Sequence, residues 1–514
     1  MSIISFIYHR GARGIRHALT SLGAAILVSS MSFIGYGAPQ QQIVGQSAPE
    51  TLKPAIVAPT AGDNESWAAK GQSLVTEFDV NGLRVLVKRR EGSQTVAAGL
   101  FIRGGARNLT SENAGIEALM LDASTEASAS FPRERMRAEQ ARIGTALSYS
   151  ANYDYSALTL TATRPHFERS WEMFTDVALR PSFDKEDFAR VKNRLIISSN
   201  DDMDEPDSHL QLLQERAAYA GHPYFNRPSG TAASLGRVTL EDLRRHHKEA
   251  LQTSRLLLVI VGDFDPARLK ERVIASFGKL PRGNYAAKEL PPLEFAAPTV
   301  AVTPQETLKT NYVQGVFSAP SLTSDDIYAM RIASSILRDR VFEEVRNKRQ
   351  LSYAPRAFLS TQGANVGGIY VSAVDANQAV GVMIYEIGRL QRDPVTAQDL
   401  SAIVAQYLTN YYLSQETNAA QAGELATYEL IGGGWKNAFQ FIDRLRAVAP
   451  RMFSAWRAPI CETCALWCSA IRRASTKPSS RCNQSINVGR RGRRQVVERP
   501  TPARAVDKPN MTKA

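Results

Sequence analysis

The segment Leu179-Arg-Pro-Ser-Phe-Asp-Lys-Glu-Asp187 follows one helical stretch and opens another, and Arg392-Asp-Pro-Val-Thr-Ala-Gln-Asp399 does the same later in the chain. Each segment comes after an Ala-Asn pair, a β-like run and a helix. The asparagines of the two pairs, Asn152 and Asn365, are 213 positions apart, and so are the prolines of the two segments. This agreement in order and spacing predicts a duplicated fold with two domains of about 200 residues each.

Both halves are predicted to be α+β domains, because strand-like runs grouped with helices to one side indicate a two-layer sandwich. The strands of the first half are predicted at 76–89, 95–102, 146–152, 155–163 and 255–262, and its helices at 113–128, 133–143, 167–179, 185–200, 240–251 and 266–277. The second half is predicted to have strands at 312–317, 356–359 and 368–373, and helices at 325–344, 378–390, 397–412 and 435–445. The domains then span 74–285 and 304–450, joined by a Pro-rich linker at 286–303.

Net charge is concentrated at the C-terminus. Of the formal charge of +12, residues 451–514 contribute +11, from 14 Lys and Arg against 3 Asp and Glu, so the other 450 residues carry about +1. The body is therefore not expected to bind nucleic acid. The basic run at 490–494 is interpreted as solvated, although such a run also suits nucleic acid or acidic lipid.

The N-terminus has the order of a secretory signal. Arginines at 10, 13 and 16 precede an apolar stretch at 18–36, and small residues follow up to Ala38. We predict a cleaved signal peptide at 1–38, a flexible Gln-, Ala- and Pro-rich linker at 39–73, and export to the periplasm or the medium. The alternative is a retained membrane anchor, since the apolar run is just long enough to span a bilayer, although Ser and Gly interrupt it.

The C-terminal tail does not continue the repeat. A shift of 213 positions from the apolar run 256–264 leads to 469–477, which lacks the apolar character of a buried strand. The match between the two halves stops at about Pro450. We predict a disordered tail at 451–514, and our hypothesis is that a reading-frame change removed the last helix–strand–helix of the second half. The tail holds every cysteine of the chain: Cys461, Cys464, Cys468 and Cys482. Without histidines or a familiar spacing, they are not interpreted as a metal site.

Three motifs together resemble one family. Phe101-Ile-Arg-Gly-Gly-Ala-Arg-Asn108 is similar to the first strand and loop of the M16 zinc peptidases (pitrilysin/insulinase), a family that also covers mitochondrial processing peptidases and bc1 core proteins. Gly236-Arg-Val-Thr-Leu-Glu-Asp-Leu243 and Leu258-Val-Ile-Val-Gly-Asp-Phe264 resemble the end of that family's first domain. The resemblance covers about 74–450. It implies two homologous α/β-sandwich domains in a clamshell arrangement.

The resemblance also locates a missing zinc motif. Active members carry H-x-x-E-H on the helix after the Gly-rich turn, where two His bind zinc and the Glu deprotonates the bound water. Here Ala118 and Asp122 stand at the His positions, and Leu121 stands at the Glu position. The later helix, which reads Arg194-Leu-Ile-Ile-Ser-Ser-Asn200, has no carboxylate where the third ligand is expected. We therefore predict no zinc and no hydrolysis by this chain alone.

Three carboxylates on the same helix are considered as a substitute site. Glu117, Asp122 and Glu126 would make an all-carboxylate centre, which is a poor zinc binder. We interpret them instead as a solvated helical face.

A second family feature is present in the other half. The resemblance implies that Arg346 hydrogen-bonds the substrate backbone or a carboxylate, and that the hydroxyl of Tyr353, seven residues later, holds the scissile carbonyl. The structural alternative is an Arg that stabilises carbonyl groups at a helix end and a Tyr that packs at a strand start. The segment Gly432-Gly-Gly434 would be a substrate-gripping loop or, as we favour, a turn between helices.

Some family members divide these parts between two chains, and this sequence fits the one without zinc. We expect an exported, non-catalytic, substrate-binding subunit that pairs with a zinc-bearing M16 peptidase subunit. Zinc is then the cofactor of the partner, and the chain contacts neither nucleic acid nor, after signal cleavage, a membrane. Three alternatives stay open: a peptidase active alone through an unrecognised site, a non-proteolytic peptide-binding or assembly protein like the bc1 core subunits, and the dead product of a damaged gene.

Overall fold

The computed structural model describes residues 67–293, 295, 300–302, 310–393 and 395–449, all within one compact unit. The expected signal peptide at 1–38 and the tail at 451–514, with its four cysteines, lie outside the described residues. Within these ranges, no helix is long and apolar enough to cross a membrane.

The first half is a six-stranded sheet with helices. Its strands are β1 (Val75–Val80), β2 (Leu83–Arg89), β3 (Thr95–Arg103), β4 (Ala146–Ala151), β5 (Tyr155–Thr163) and β6 (Leu256–Gly262). Its helices are α1 (Trp67–Ser73), α2 (Ile116–Glu126), α3 (Arg133–Ile143), α4 (Phe167–Leu179), α5 (Lys185–Asp204), α6 (Pro206–Ala218), α7 (Ala232–Arg237), α8 (Leu240–Ala250) and α9 (Pro266–Phe277). The strand order is β1-β2-β6-β3-β5-β4, and β6 runs parallel to β2 but antiparallel to β3.

The second half repeats this plan with a smaller sheet. Its strands are β7 (Val300–Val302), β8 (Asn311–Ala319), β9 (Arg356–Leu359) and β10 (Asn365–Ala373), in the order β7-β8-β10-β9. Its helices are α10 (Asp326–Val341), α11 (Ala376–Arg392), α12 (Ala397–Ser414), α13 (Asn418–Ile431) and α14 (Phe441–Arg446). The order β8-β10-β9 matches β3-β5-β4, which confirms the predicted pair of homologous α+β sandwiches.

The duplication is clearest in the helices. Helices α5 and α12 begin 212 residues apart, and so do α6 and α13. The predicted equivalence of Asn152 and Asn365 is wrong, because Asn152 lies in the turn before β5, whereas Asn365 is the first residue of β10. The turns differ in length: residues 152–154 join β4 to β5, but residues 360–364 join β9 to β10. Strands β5 and β10 begin 210 residues apart, so the strands and the later helices are not related by one constant shift.

The place of β6 is filled differently in the second sheet. In the first sheet β3 lies between β5 and β6, whereas in the second sheet β8 lies between β10 and the short strand β7. Strand β7 pairs antiparallel with β8, from Val300 opposite Gly315 to Val302 opposite Val313. Within the described part of the second half there is therefore no counterpart of β6.

Three local predictions differ from the structure. The single strand expected at 76–89 is a hairpin of β1 and β2, because Asn81 and Gly82 both adopt positive φ, as a two-residue hairpin turn requires. Residues 67–73, which were expected to belong to the flexible linker at 39–73, form helix α1. The segment expected to be a helix at 435–445 begins as a 3-10 turn, Trp435–Gln440, and only then becomes α14.

The two halves are joined by an exchange of helices. Helix α13 of the second half packs on β3 and β6, and helix α6 of the first half packs on β7 and β8. Alternate residues of β6 therefore face different partners. Leu258 lies in the core of the first half, whereas Val259 belongs to the apolar cluster that includes Leu425 of α13. Burial on both faces explains why β6 is an uninterrupted apolar run.

Polar contacts fix the same junction. The Glu429 carboxylate of α13 is buried, with Oε1 2.6 Å from Arg84 Nη1 and 3.7 Å from Arg103 Nη2. The backbone N–H of Trp435 donates to Glu429 Oε2 at 3.1 Å, and the Trp435 indole N–H donates to Glu77 at 2.9 Å. Glu429 thus connects the sheet of the first half to the end of α13.

A second junction joins two turns. The backbone N–H of Gly363, in the β9–β10 turn, donates to Asp154 Oδ2 at 2.9 Å. The Tyr224 hydroxyl donates to Asp154 Oδ1 at 2.6 Å, and Arg107 lies 3.3 Å from the same oxygen. The buried Asp154 therefore holds the β9–β10 turn against the β4–β5 turn.

We expect Glu429→Ala to lower the free energy of unfolding in urea by about 1–3 kcal/mol, because two arginines lose their buried partner. The matched control is Glu416→Ala, which removes an exposed carboxylate on the segment that leads into α13. It should change stability by less than about 0.5 kcal/mol. Equal effects of the two substitutions would show that Glu429 does not hold the halves together.

Candidate functional site

Helix α2 starts at a crowded turn. Gly115 has a φ of 88°, and a Cβ atom there would lie 2.8 Å from the Cα of Gly230, so a larger residue fits neither the conformation nor the space. From this turn α2 runs under the first sheet, and each of its residues from Ile116 to Ser124 is buried. The helix that carries the zinc-motif positions is therefore an interior element.

The three zinc-motif positions offer one oxygen donor group. Ala118 and Leu121 are buried and apolar, and Leu121 belongs to the core of the first half. Asp122 is buried as well, and its Oδ1 lies 2.7 Å from Nη2 of Arg194 on α5. The described residues contain no group of three His, Cys, Asp or Glu side chains placed to hold a metal ion. This donor set does not fit zinc, because its one carboxylate is already neutralised by a guanidinium.

A wider ion-pair network surrounds Asp122. Glu126, also on α2, lies 3.1 Å from Arg190 and 3.5 Å from both Arg194 and Arg137. Asp187 of α5 is 2.7 Å from Arg190. Burial alone would raise the pKa of Glu126, but the hydrogen bond from Arg190 and the neighbouring guanidinium charges bring this pKa below its ordinary value. The network ties α2 to α3 and α5.

Glu117 points to a different set of partners. It accepts a hydrogen bond from the Ser156 hydroxyl at 2.6 Å and is paired with Arg255. His246 Nε2 lies 3.5 Å away. Burial would raise the pKa of Glu117, but His246, Arg255 and Ser156 together lower it. The carboxylate is thus ionised inside the protein.

The interpretation of Glu117, Asp122 and Glu126 as a solvated face is therefore wrong. All three are largely or fully shielded from solvent. The physical reason is that arginines from α3, α5 and the start of β6 neutralise them, so the cost of burying charge is offset by pairing. Arg194 and Arg255, the partners of Asp122 and Glu117, are more than 70 positions away and cannot be read from the helix itself.

The Arg/Tyr pair lies on an irregular turn in the second half. Helix α10, predicted to continue to residue 344, ends at Val341 and passes into a π-helical turn, Phe342–Asn347. The N–H of Leu351 then donates to the carbonyl of Val345 at 2.9 Å. Gln350 adopts a positive φ of 51°, which reverses the chain. This reversal brings residue 353 back to residue 346.

The structure brings Arg346 and Tyr353 together. The guanidinium carbon of Arg346 lies 4.1 Å from the centroid of the Tyr353 ring and 4.8 Å from that of the Phe342 ring. Tyr353 is 80% exposed and precedes β9, so it does not pack at a strand start. Among the described residues, neither the Arg346 guanidinium nor the Tyr353 hydroxyl has a hydrogen-bond or ion-pair partner.

The nearby carboxylates are engaged elsewhere. Hydrogen bonds from Lys348 and Arg349 lower the pKa of Glu344 to about 2. Glu343 accepts a hydrogen bond from the Asn347 amide at 2.7 Å. Arg346 and Tyr353 thus present an unneutralised cation and a free phenol side by side, which can together bind a carbonyl or carboxylate oxygen.

The glycine segment 432–434 connects α13 to the turn that begins at Trp435. The N–H of Gly434 donates to the carbonyl of Tyr428 at 2.9 Å, as does that of Gly432. The segment is a turn between helices.

Family models match most of the body of the chain. The model described as "Insulinase (Peptidase family M16)" matches residues 84–232, and that described as "Peptidase M16 inactive domain" matches residues 237–407. Together they cover more than half of the chain. The chain belongs to peptidase family M16.

Curated relatives are distant. The "Zinc protease PqqE" of Helicobacter pylori is 19% identical over 382 residues, which are 71% of this chain and 84% of that protein. A "Cytochrome b-c1 complex reductase subunit, mitochondrial" of Candida albicans is 21% identical and is matched over 50% of this chain and 56% of its own length. The "Probable inactive metalloprotease YmfF" of Bacillus subtilis is 21% identical and is matched over 46% of this chain and 58% of its own length.

Solved structures share the fold. A protease from Helicobacter pylori superposes with a TM-score of 0.68 at 16% identity, covering 74% of this chain and 95% of the other. A peptidase M16 inactive domain from Pseudomonas fluorescens gives 0.67 at 18% identity, covering 74% and 94%. The two-domain M16 fold predicted from the sequence is confirmed.

The ion-pair network predicts a pH-dependent stability. The pKa of Glu126 is depressed in the folded protein, so its contribution is present above the unfolded value of about 4.3 and is lost as the pH falls through the folded value. We expect Glu126→Gln to lower the free energy of unfolding by about 1 kcal/mol at neutral pH. At an acid pH below the folded pKa of Glu126, the wild type and the variant should have nearly equal stability.

Urea unfolding followed by circular dichroism at both pH values measures this difference. Glu134→Gln, an exposed carboxylate on α3, is the control and should have little effect at either pH. An equal loss for Glu126→Gln at both pH values would mean that the ion pairs contribute nothing.

Proposed function

We propose that this chain is the non-catalytic, substrate-binding subunit of a two-chain M16 peptidase. Its role is to hold an extended peptide through Arg346 and Tyr353 while a zinc-bearing partner chain supplies the hydrolytic machinery. The observation that carries the proposal is the stacked Arg346–Tyr353 pair, in which Tyr353 is exposed and Arg346 is half-buried, and which lacks an ion-pair or hydrogen-bond partner among the described residues.

The state of α2 supports a non-catalytic role. A catalytic zinc site needs three protein ligands and an open position for water. Here Asp122 is paired with Arg194, and the neighbouring positions hold Ala118 and Leu121. Hydrolysis by a zinc-bound water therefore has to come from another chain, and the cofactor of the complex is the zinc of the partner.

The chemistry of the pair suits a peptide. A guanidinium with free N–H groups donates to backbone carbonyl or carboxylate oxygens. A phenol beside it donates a further hydrogen bond to the oxygen on which negative charge develops during attack. Arg346 and Tyr353 thus provide binding and transition-state stabilisation for a bond cleaved by the partner.

The location follows from the sequence. The basic and apolar N-terminal segment, residues 1–38, supports export, with the mature chain in the periplasm or secreted and membrane anchoring as the lesser alternative. An exported pair of this kind would degrade peptides outside the cytoplasm.

The main alternative is a non-proteolytic binding or assembly protein. The similarity to a subunit of a fungal bc1 complex supports it, because the M16 fold also occurs in that assembly. An adjacent reading frame that encodes H-x-x-E-H would favour the peptidase pair. Chelator-sensitive peptide hydrolysis by the purified chain would instead favour an enzyme active alone.

We expect Arg346→Ala and Tyr353→Phe each to lower kcat/KM of the reconstituted pair by about tenfold or more, because each removes a donor to the reacting carbonyl. Association of the two chains should not change, since neither side chain belongs to the hydrophobic core of the second half. Peptide hydrolysis and sedimentation of the mixed subunits measure the two quantities separately.

The matched controls are Arg446→Ala and Tyr412→Phe, which change an exposed arginine and an exposed tyrosine elsewhere in the second half. Both should leave the rate within about twofold. Unchanged rates for Arg346→Ala and Tyr353→Phe would refute the assignment of the site.

A further inference from the structure

Phe342 is an exposed aromatic residue with an unusual neighbour. It is 39% exposed, whereas Val341 and Val345 on the same turn are fully buried in the core of the second half. It precedes Arg346 by four positions, a spacing that places two side chains on one helical face. Its ring lies 4.8 Å from the Arg346 guanidinium carbon.

The guanidinium is therefore held by aromatic rings rather than by a carboxylate. A carboxylate partner would use two of the five N–H donors and cancel the charge. A ring attracts the guanidinium through its face and leaves the N–H donors at the edge available. Glu343 and Glu344, the acids closest in sequence, are engaged with Asn347 and with Lys348 and Arg349.

We propose that Phe342 is a positioning residue of the peptide-binding site: with Tyr353 it fixes the plane of the Arg346 guanidinium, so that its free N–H edge binds a carbonyl oxygen of an extended peptide. This inference rests on the proposed function and adds a residue to it. Phe342 acts through Arg346 and makes no bond to the peptide itself.

The π-helical turn explains how the stack is built. Helix α10 widens at Phe342–Asn347, and the chain then reverses at Gln350 to return Tyr353 to Arg346. The two rings thus reach the same guanidinium from opposite ends of one short segment. Such π-turns are rare and occur frequently at functional sites.

The test is binding of fluorescein-labelled oxidised insulin B chain, a disordered peptide, to the isolated chain, followed by fluorescence anisotropy. We expect Phe342→Leu to weaken binding by about three- to tenfold, because the apolar volume stays but the ring is lost. Phe342→Tyr keeps the ring and should restore binding to within about twofold. The matched control is Tyr412→Leu, which removes an exposed aromatic ring from α12, and this variant should bind like the wild type.

A double-mutant comparison isolates the route of the effect. Phe342→Leu should cause no further weakening in an Arg346→Ala background, because the group that Phe342 orients is then absent. Thermal unfolding of each variant checks that the fold is kept, and Phe342→Met replaces the Leu variant if that one melts at a lower temperature.

The outcomes separate the two levels of the proposal. If Arg346→Ala itself leaves binding unchanged, the proposed function fails and this inference fails with it. If Arg346→Ala weakens binding but Phe342→Leu does not, the function stands and the role of Phe342 is wrong. The role of Phe342 is also wrong if Phe342→Leu weakens binding equally in the presence and absence of Arg346.

Discussion

The ion pair between Asp122 and Arg194 is the constraint on which this account depends. A buried carboxylate needs a partner of opposite charge, and an arginine that already pairs with it makes it a weaker metal ligand. Arg194 reaches α2 from α5, the helix on which the third zinc ligand is expected from the family pattern. With Glu126 and Asp187 paired to further arginines, the contact between α2 and α5 is stabilised by fixed charges of the protein itself.

This replacement leaves the rest of the architecture intact. Each sheet is covered on one face by helices of its own half, and α13 and α6 cover the other faces reciprocally. Glu429 and Asp154 add polar contacts at the junction. Because of this exchange neither half is a free module, and the first half holds the second half in a fixed setting. In that half, the groups proposed to bind a peptide are the exposed Tyr353 and the half-buried Arg346.

Much of the fold was predictable from local patterns. The apolar run of β6 and the helices α4 and α5 are each specified within a few residues, and the duplication followed from the order of such elements. The long-range features were not predictable in this way. The burial of Glu117 depends on Arg255 and that of Asp122 depends on Arg194, and both arginines are more than 70 positions away. The Arg346–Tyr353 pairing could be expected from the family pattern. The contact of Arg346 with Phe342 depends on a π-turn that helical periodicity does not reveal. The β1–β2 turn is a different case, because Asn81-Gly82 is a strong hairpin signal and a single strand was nevertheless predicted there.

The most direct test is the zinc content of the isolated chain, measured by plasma mass spectrometry after dialysis against zinc and then against buffer. Our expectation is far less than one equivalent of zinc, with no change in the Asp122→Ala variant, because Asp122 is paired with Arg194. One equivalent of zinc that is lost on replacing Asp122 would contradict it.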